Sequence, residues 1–368
     1  MIVRDVEKII EDIAPKALAW EKDNVGLQVG SPEKPVHKIL LTLDLTEDTI
    51  DECINKNIDL VISHHPLIYS PMKSISSADT KGKLIFKLVG NNISLISAHT
   101  NLDFTKFGVS YALADKLELK NIKVLKPAET FLKKIIVFVP VDYVEKITEA
   151  MALAGAGKIG EYDYCSFRIS GIGTFKGSQL SKPFIGVPGE LEKVEEIRVE
   201  MILPEWKLTD VINAMRASHP YEEPAYDIYP LNNELSEYGA GAIGQYENVI
   251  SQKKFLQMIK DNLQCEVVKY VDGAQDKIKT VAVCGGSGSS IIHDALNARA
   301  DAFVTSEISY HSFQQYEGKI MLVDAGHFET EVVILESLAN ILRAKLAEMK
   351  ENVQVLVSTK NRNPIKIF

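Results

Sequence analysis

A short apolar run that stops on two histidines constrains this chain most. Ile58-Asp59-Leu60-Val61-Ile62-Ser63 has the length of a buried strand, and His64-His65-Pro66 follows it directly, the proline closing the turn. Open α/β sheets present ligands at the carboxyl ends of their strands. Neighbouring side chains diverge there, so such a pair can offer one imidazole to each of two metals. Taken alone, it reads more readily as one structural and one solvent-facing histidine.

The surrounding pattern alternates strand and helix. Val3, Val6, Ile9, Ile10 and Ile13 fall at helical spacing before Pro15. Trp20 to Gly30 reads as a loop. Lys38 to Leu43 predicts a strand, and Thr46 can cap a helix over 47–57. A helix near 81–90, a strand Ile93 to Ser97, the loop His99-Thr100-Asn101-Leu102-Asp103 and a helix over 107–117 follow. Alternation of this kind predicts a largely parallel α/β sheet.

The middle of the chain changes pattern. Strands at Lys134–Val139, Phe167–Thr174, Ile197–Leu203 and Ala225–Tyr229 and helices over 142–154 and 207–217 give the order βαββαβ, the ferredoxin-like split. Its two halves look alike: Val137-Phe138-Val139-Pro140 leads to Ala150-Met151 as Met201-Ile202-Leu203-Pro204 leads to Ala214-Met215. An inserted domain is expected at 127–232, between an α/β half at 1–126 and another at 233–368. In the latter a helix is expected over 252–263, with strands at Glu266–Tyr270, Ile278–Val283, Ala302–Thr305, Lys319–Val323 and Val353–Val357. The turn Cys284-Gly285-Gly286-Ser287-Gly288 should open a helix reaching about 298, and a long helix should run over 330–347.

The outer parts echo one another. Ile58–Ser63 resembles Ala300–Thr305, and His99-x-x-x-Asp103 resembles His327-x-x-x-Glu331. Two related halves would face a shared cleft and converge their strand ends on it.

Composition narrows the function. A net charge of -9 without a long basic run argues against a nucleic-acid surface as the main purpose. Cys53, Cys165, Cys265 and Cys284 are scattered and form no CxxC, so they read as thiols of a reducing compartment. The first residues are too polar for a signal peptide, and no apolar run has membrane-spanning length. A cytoplasmic protein is expected.

His64, His65, His99 and His327 stand at predicted strand ends beside Asp103 and Glu331. Imidazole with carboxylate is the ligand set of zinc, iron, manganese and nickel sites. Glu307 and His311, four apart at another strand end, could position water or take a proton, or could mark a solvated helix face. Gly285-Gly286-Ser287-Gly288 could cradle a phosphate, though it lacks the lysine of a P-loop. His219-Pro220-Tyr221-Glu222-x-Pro224 reads as a rigid turn or, more pointedly, a ligand sensor.

Together these motifs resemble the Nif-three-like dinuclear metal-centre family, whose members carry the label GTP cyclohydrolase 1 type 2 homologue. The residues concerned are Ser63-His64-His65-Pro66, Ala98 to Asp103, Thr305-Ser306-Glu307 with His311, Gly326-His327 with Thr330-Glu331, and Trp20-x-x-x-Asn24-x-Gly26-Leu27-x-Val29-Gly30. The insert resembles that of the longer bacterial members, which is similar to PII/CutA-type signalling domains. The resemblance implies two divalent cations per chain. His65 and Asp103 would serve one, His64 and His327 the other, and Glu331 would bridge. His99 is then placed beside the ligands rather than among them. It also implies a toroidal homohexamer and a hydrolase acting on a nucleotide, with attack on guanine C8, ring opening and formate release. A regulatory or metal-handling protein and a non-catalytic ring are the alternatives.

Overall fold

The computed structural model describes residues 1–129 and 131–367. In chain order it runs α1 (Val3–Ile13), β1 (Gly26–Val29), β2 (Lys38–Thr42), α2 (Glu47–Lys56), β3 (Leu60–Ser63), α3 (Thr80–Gly90), β4 (Ser94–Ser97), α4 (Thr100–Asp103), α5 (Val109–Lys116) and β5 (Lys120–Ala128). Next come β6 (Leu132–Pro140), α6 (Val144–Leu153), β7 (Phe167–Lys176), β8 (Leu191–Pro204), α7 (Leu208–Ser218) and β9 (Tyr226–Leu231). The remainder is β10 (Leu235–Ser251), α8 (Gln252–Leu263), β11 (Lys269–Val271), β12 (Lys277–Ser287), α9 (Ile292–Asn297), β13 (Ala302–Ser306), α10 (Tyr310–Tyr316), β14 (Met321–Asp324), α11 (His327–Glu331), α12 (Ile334–Glu348) and β15 (Gln354–Val357). Residues 1–127 with 236–368 form one compact unit, and 128–235 form another.

The first unit holds two sheets. One has the order β1-β4-β3-β2-β15 and the other β11-β14-β13-β12-β10-β5. The cores β4-β3-β2 and β14-β13-β12 are parallel, and each carries an antiparallel edge strand, β1 on β4 and β11 on β14. The repeat is therefore topological. Both sheets are buried on two faces, which explains their unbroken apolar runs. Leu41, Leu60, Ile62 and Ile96 pack with α1 and α12, while Leu40, Val61 and Leu95 pack with α2 and α3. In the second sheet Val283, Val304 and Val323 pack with α5 and α8, while Ala282, Phe303 and Leu322 turn toward α9. Each fully buried leucine, isoleucine or phenylalanine contributes about 1.5–3 kcal/mol.

Several elements differ from the sequence reading. The stretch Trp20–Gly30 contains β1, and the loop after β4 is the short helix α4. The expected helix over 330–347 is two, because an i→i+3 bond from Leu335 N to Val332 O interrupts it where Val332 and Val333 crowd the backbone. The glycine-rich turn is the end of β12. β5 and β10 escaped periodicity because β5 buries only Leu125 and Ala128 and β10 is broken by three glycines.

In the second unit the strands align as β7-β8-β6-β9, each neighbouring pair antiparallel. Its core of Ile135, Val137, Ile147, Met151, Val199, Met201, Val211 and Met215 joins α6 and α7 to one face of the sheet. His219 is buried there. Its Nε2 lies 3.1 Å from Phe138 O, and its Nδ1 accepts from Tyr221 N at 3.1 Å, the geometry of a rigid turn.

Candidate metal centre

The parallel ladder carries β3 on into the histidine pair: His64 N bonds Thr42 O and His65 N bonds Leu43 O, each at 3.0 Å. Ser63 Oγ donates to His65 O at 2.8 Å and tightens the turn. At the end of β4, α4 sets His99 and Asp103 four residues apart on one face. On the other sheet, Gly326 at φ +89° lets the chain turn from β14 into α11, which carries His327 and Glu331 at the same spacing. Thr330 Oγ1 bonds back to Gly326 O at 2.8 Å and accepts from Gly286 N at 3.0 Å, tying α11 to β12.

Four imidazole rings gather at these ends. Ring centroids lie 5.1 Å apart for His64–His65, 5.2 Å for His64–His99, 5.5 Å for His65–His99 and 5.6 Å for His65–His327. Each Nδ1 has an acceptor outside the cluster: Ala98 O at 2.9 Å for His64, Asp44 at 2.8 Å for His65, Asp23 at 2.9 Å for His99 and Glu307 at 3.0 Å for His327. Acceptors of this kind fix Nδ1 as the protonated nitrogen and leave Nε2 to face inward, the arrangement that metal-binding histidines use.

Carboxylates complete the cluster. Glu331 Oε2 lies 3.0 Å from His327 Nε2 and 3.1 Å from His65 Nε2, at ion-pair distance but without hydrogen-bond alignment. Asp103 Oδ1 lies 3.6 Å from His64 Nε2. Ligating atoms of His64, His65 and His99 lie within 4.8 Å of one another, as do those of His65, His327 and Glu331. His65 is thus common to both groups, and His327 sits with His65 rather than with His64, unlike the pairing that the resemblance implies. The Glu331 carboxylate, within ion-pair distance of both His65 and His327, accounts for that geometry. His99 stands as close to the cluster as the residues expected to be ligands.

The electrostatics are those of a ligand set. Burial pushes His64 down to about 4, so it is neutral. Burial also works against charge on His65, but Asp44 and Glu331 outweigh it and lift His65 to about 10. The Glu331 carboxylate beside His327 raises that imidazole as well. Burial would raise Glu331, yet His327 and His65 hold it well below the usual carboxylate range. Burial, then Glu331, raise Asp103 strongly. The Cys284 thiol nearby is pushed by burial to about 12 and stays protonated.

These residues fit a divalent cation. His64 Nε2, Asp103 Oδ1 and Glu331 Oε2 are buried without a hydrogen-bond partner. Buried polar atoms left this way are costly unless something else satisfies them. Gly286 makes room for the set: at φ +62°, a Cβ there would lie 2.1 Å from Glu331 Oε1.

Other predicted site residues fare differently. Glu307 reaches the cluster through His327 Nδ1. His311 is exposed on α10 against Tyr310, and its ring nitrogens belong to neither group of ligating atoms. The phosphate cradle is corrected. Gly285 N, Gly286 N and Gly288 N already donate to Ser110, Thr330 and Thr305, and Ser287 pairs with Ser306 in the sheet, so the amides of Gly285, Gly286, Ser287 and Gly288 do not form an open nest. Sequence reasoning missed Asp23 and Asp44. Asp23 Oδ2 also accepts from Thr100 Oγ1 at 2.6 Å and Thr100 N at 3.1 Å. The only signal was an acid inside a turn-rich loop, and one just after a strand.

The comparisons with known proteins agree with this fold. The model of the Duf34/NIF3 (NGG1p interacting factor 3) family matches residues 1–364, and the chain belongs to that family. A relative from Bacillus subtilis (strain 168), named GTP cyclohydrolase 1 type 2 homolog, is 41% identical across 98% of this chain and 97% of its own. One of the same name from Halalkalibacterium halodurans is 38% identical across 98% and 97%. The crystal structure of a Bacillus cereus protein related to NIF3 superposes with a TM-score of 0.88 at 37% identity, covering 100% of this chain and 99% of the other. A Staphylococcus aureus crystal structure does so at 0.80 and 29%, with coverage of 100% and 99%.

Proposed function

We propose that the chain is a metal-dependent hydrolase acting on a nucleotide, with its centre built from His64, His65, Asp103, His327 and Glu331 and with His99 at its edge. The observation that carries this reading is the gathering of imidazole nitrogens and carboxylate oxygens in which His64 Nε2, Asp103 Oδ1 and Glu331 Oε2 are buried without a hydrogen-bond partner. Two divalent cations held there would supply Lewis acidity and draw a proton from water near neutral pH. The chain's part is to fix the donors: Asp44, Glu307, Asp23 and the Ala98 carbonyl orient the four rings, and Glu331 offsets positive charge at the centre. Glu307, at the mouth beside His327, is the group placed to receive a proton.

The names of the relatives make GTP the first substrate to test. Formate release from GTP by zinc-, manganese- or iron-loaded protein is the expected result, abolished in Glu331→Ala. Metal bound without turnover of GTP or other nucleotides would favour a metal-handling role instead. Assembly into a homohexameric ring is part of the proposal, and sedimentation velocity tests it.

A further inference from the structure

A cavity of about 980 Å³ opens beside the candidate centre, with His65 and His327 among the residues that line it. The segment 363–367 lines it too. That segment is pinned rather than loose. Asn361 Oδ1 accepts from Thr42 Oγ1 and Leu43 N at 2.9 Å each, and Asn361 Nδ2 donates to Ser358 O at 2.8 Å. Asn363 Nδ2 then donates to Glu329 Oε1 at 2.8 Å, and Ile365 N to Asn363 Oδ1 at 2.9 Å.

Pinning a chain segment costs conformational entropy, which apolar burial normally offsets. Here it does not: Ile365 is 70% exposed and Ile367 is 54% exposed. Most of the cavity's carboxylates already have partners. Asp44 holds His65, Glu307 holds His327, Glu329 holds Asn363, and Asp324 accepts from Gly326 N. The wall also carries Gln264, Glu266, Lys269 and Lys366, and beside them it offers a ligand the apolar side chains of Val267, Phe328, Ile365 and Ile367. The volume lies at the upper end of the roughly 300–1,000 Å³ that small-molecule sites occupy, too small for a folded partner.

We infer that this cavity binds the body of a small molecule whose oxygen-donor head reaches the metal centre, and that Ile365 and Ile367 select a flat, apolar ring as that body. The inference rests on the metal reading above, and the test separates the two. Acetohydroxamate and benzohydroxamate share one metal-binding head and differ only in a ring. Titration calorimetry on the zinc-loaded full chain should show benzohydroxamate binding at least about 10-fold tighter, the order of gain expected from burying a ring. The double variant Ile365→Asp/Ile367→Asp should bring the two probes within about twofold while leaving zinc content and acetohydroxamate affinity unchanged. Equal affinities in the wild type, or a ring preference that survives in the double variant, would overturn the cavity reading alone. Binding of neither probe would remove the metal centre and this inference with it.

Discussion

Both sheets of the first unit deliver histidines from their strand ends, yet they hold them differently. After β3 and β4, His64 is sealed against a backbone carbonyl and kept neutral, at about 4. After β14, His327 is a third exposed, leans on the Glu307 carboxylate, and is drawn toward its charged form. His65, from the first sheet, follows the second pattern through Asp44. The partner of Nδ1, more than the strand that carries the ring, decides whether an imidazole waits as a ready donor or must first give up a proton. One wall of the centre is thus preformed and the other is charge-compensated through Glu331.

Removing that compensation should have the largest effect. Glu331→Gln keeps shape but leaves His65 and His327 without their shared anion. Metal affinity should fall by more than the roughly 10–100-fold typical of a supporting residue, and from the whole centre. Metal analysis after dialysis reads this out; wild-type content in the variant would show that Glu331, the last residue of α11, is a structural acid and not a metal ligand. Asp103→Asn, acting beside His64, should weaken binding without emptying the centre.

The supporting carboxylates come next. Asp44→Asn and Glu307→Gln should each lower metal affinity about 10–100-fold while leaving the fold intact. If only one did so, the equivalence drawn between His65 and His327 would break.

Acidity sharpens the same contrast. His65 is protonated up to about 10 in the free protein, so a cation that binds its Nε2 must displace a proton. Apparent affinity should therefore rise with pH, about 10-fold per unit between 6.5 and 8.5 for that one proton and more steeply where His327 also gives one up. Proton release on titrating zinc into weakly buffered protein measures it directly. His64, already neutral, should add nothing, and Asp44→Asn should flatten the slope.

Much of this centre was legible because its chemistry sits in short motifs at strand ends: His64-His65, His99 with Asp103, and His327 with Glu331 each fall within five residues. Their Nδ1 partners were not, since Asp23 is 76 residues from His99 and Asp44 is 21 from His65. Local pattern carries no record of such pairings. The glycine turn misled for a related reason. Gly285-Gly286-Ser287-Gly288 has the composition of a phosphate loop, but Gly286 is required by the approach of Glu331, from a helix far along the chain. The exchange of edge strands was equally hidden. β15, from the end of the chain, completes the first sheet, while β5, from the N-terminal part, completes the second.

That exchange makes the smallest and most local prediction. Glu52 in α2 is buried and clamps the chain just beyond β15: Ser358 Oγ donates to it at 2.5 Å, Thr359 Oγ1 at 3.0 Å and Thr359 N at 3.2 Å, with Lys56 Nζ at 2.6 Å. Burial would raise this carboxyl, but Lys56 and the three donors outweigh it and hold it down at about 2. A carboxylate depressed in the folded state stabilises fully above its ordinary value of 4.5, and the contribution is lost as pH falls toward 2. Glu52→Gln should therefore cost about 1–3 kcal/mol in urea unfolding at pH 7, and progressively less as the solution is acidified below pH 4. The candidate centre lies on other strand ends, so metal content should not change. A loss of metal in Glu52→Gln would show that the borrowed strand β15, and not β2 and β3 alone, sets the position of His64 and His65.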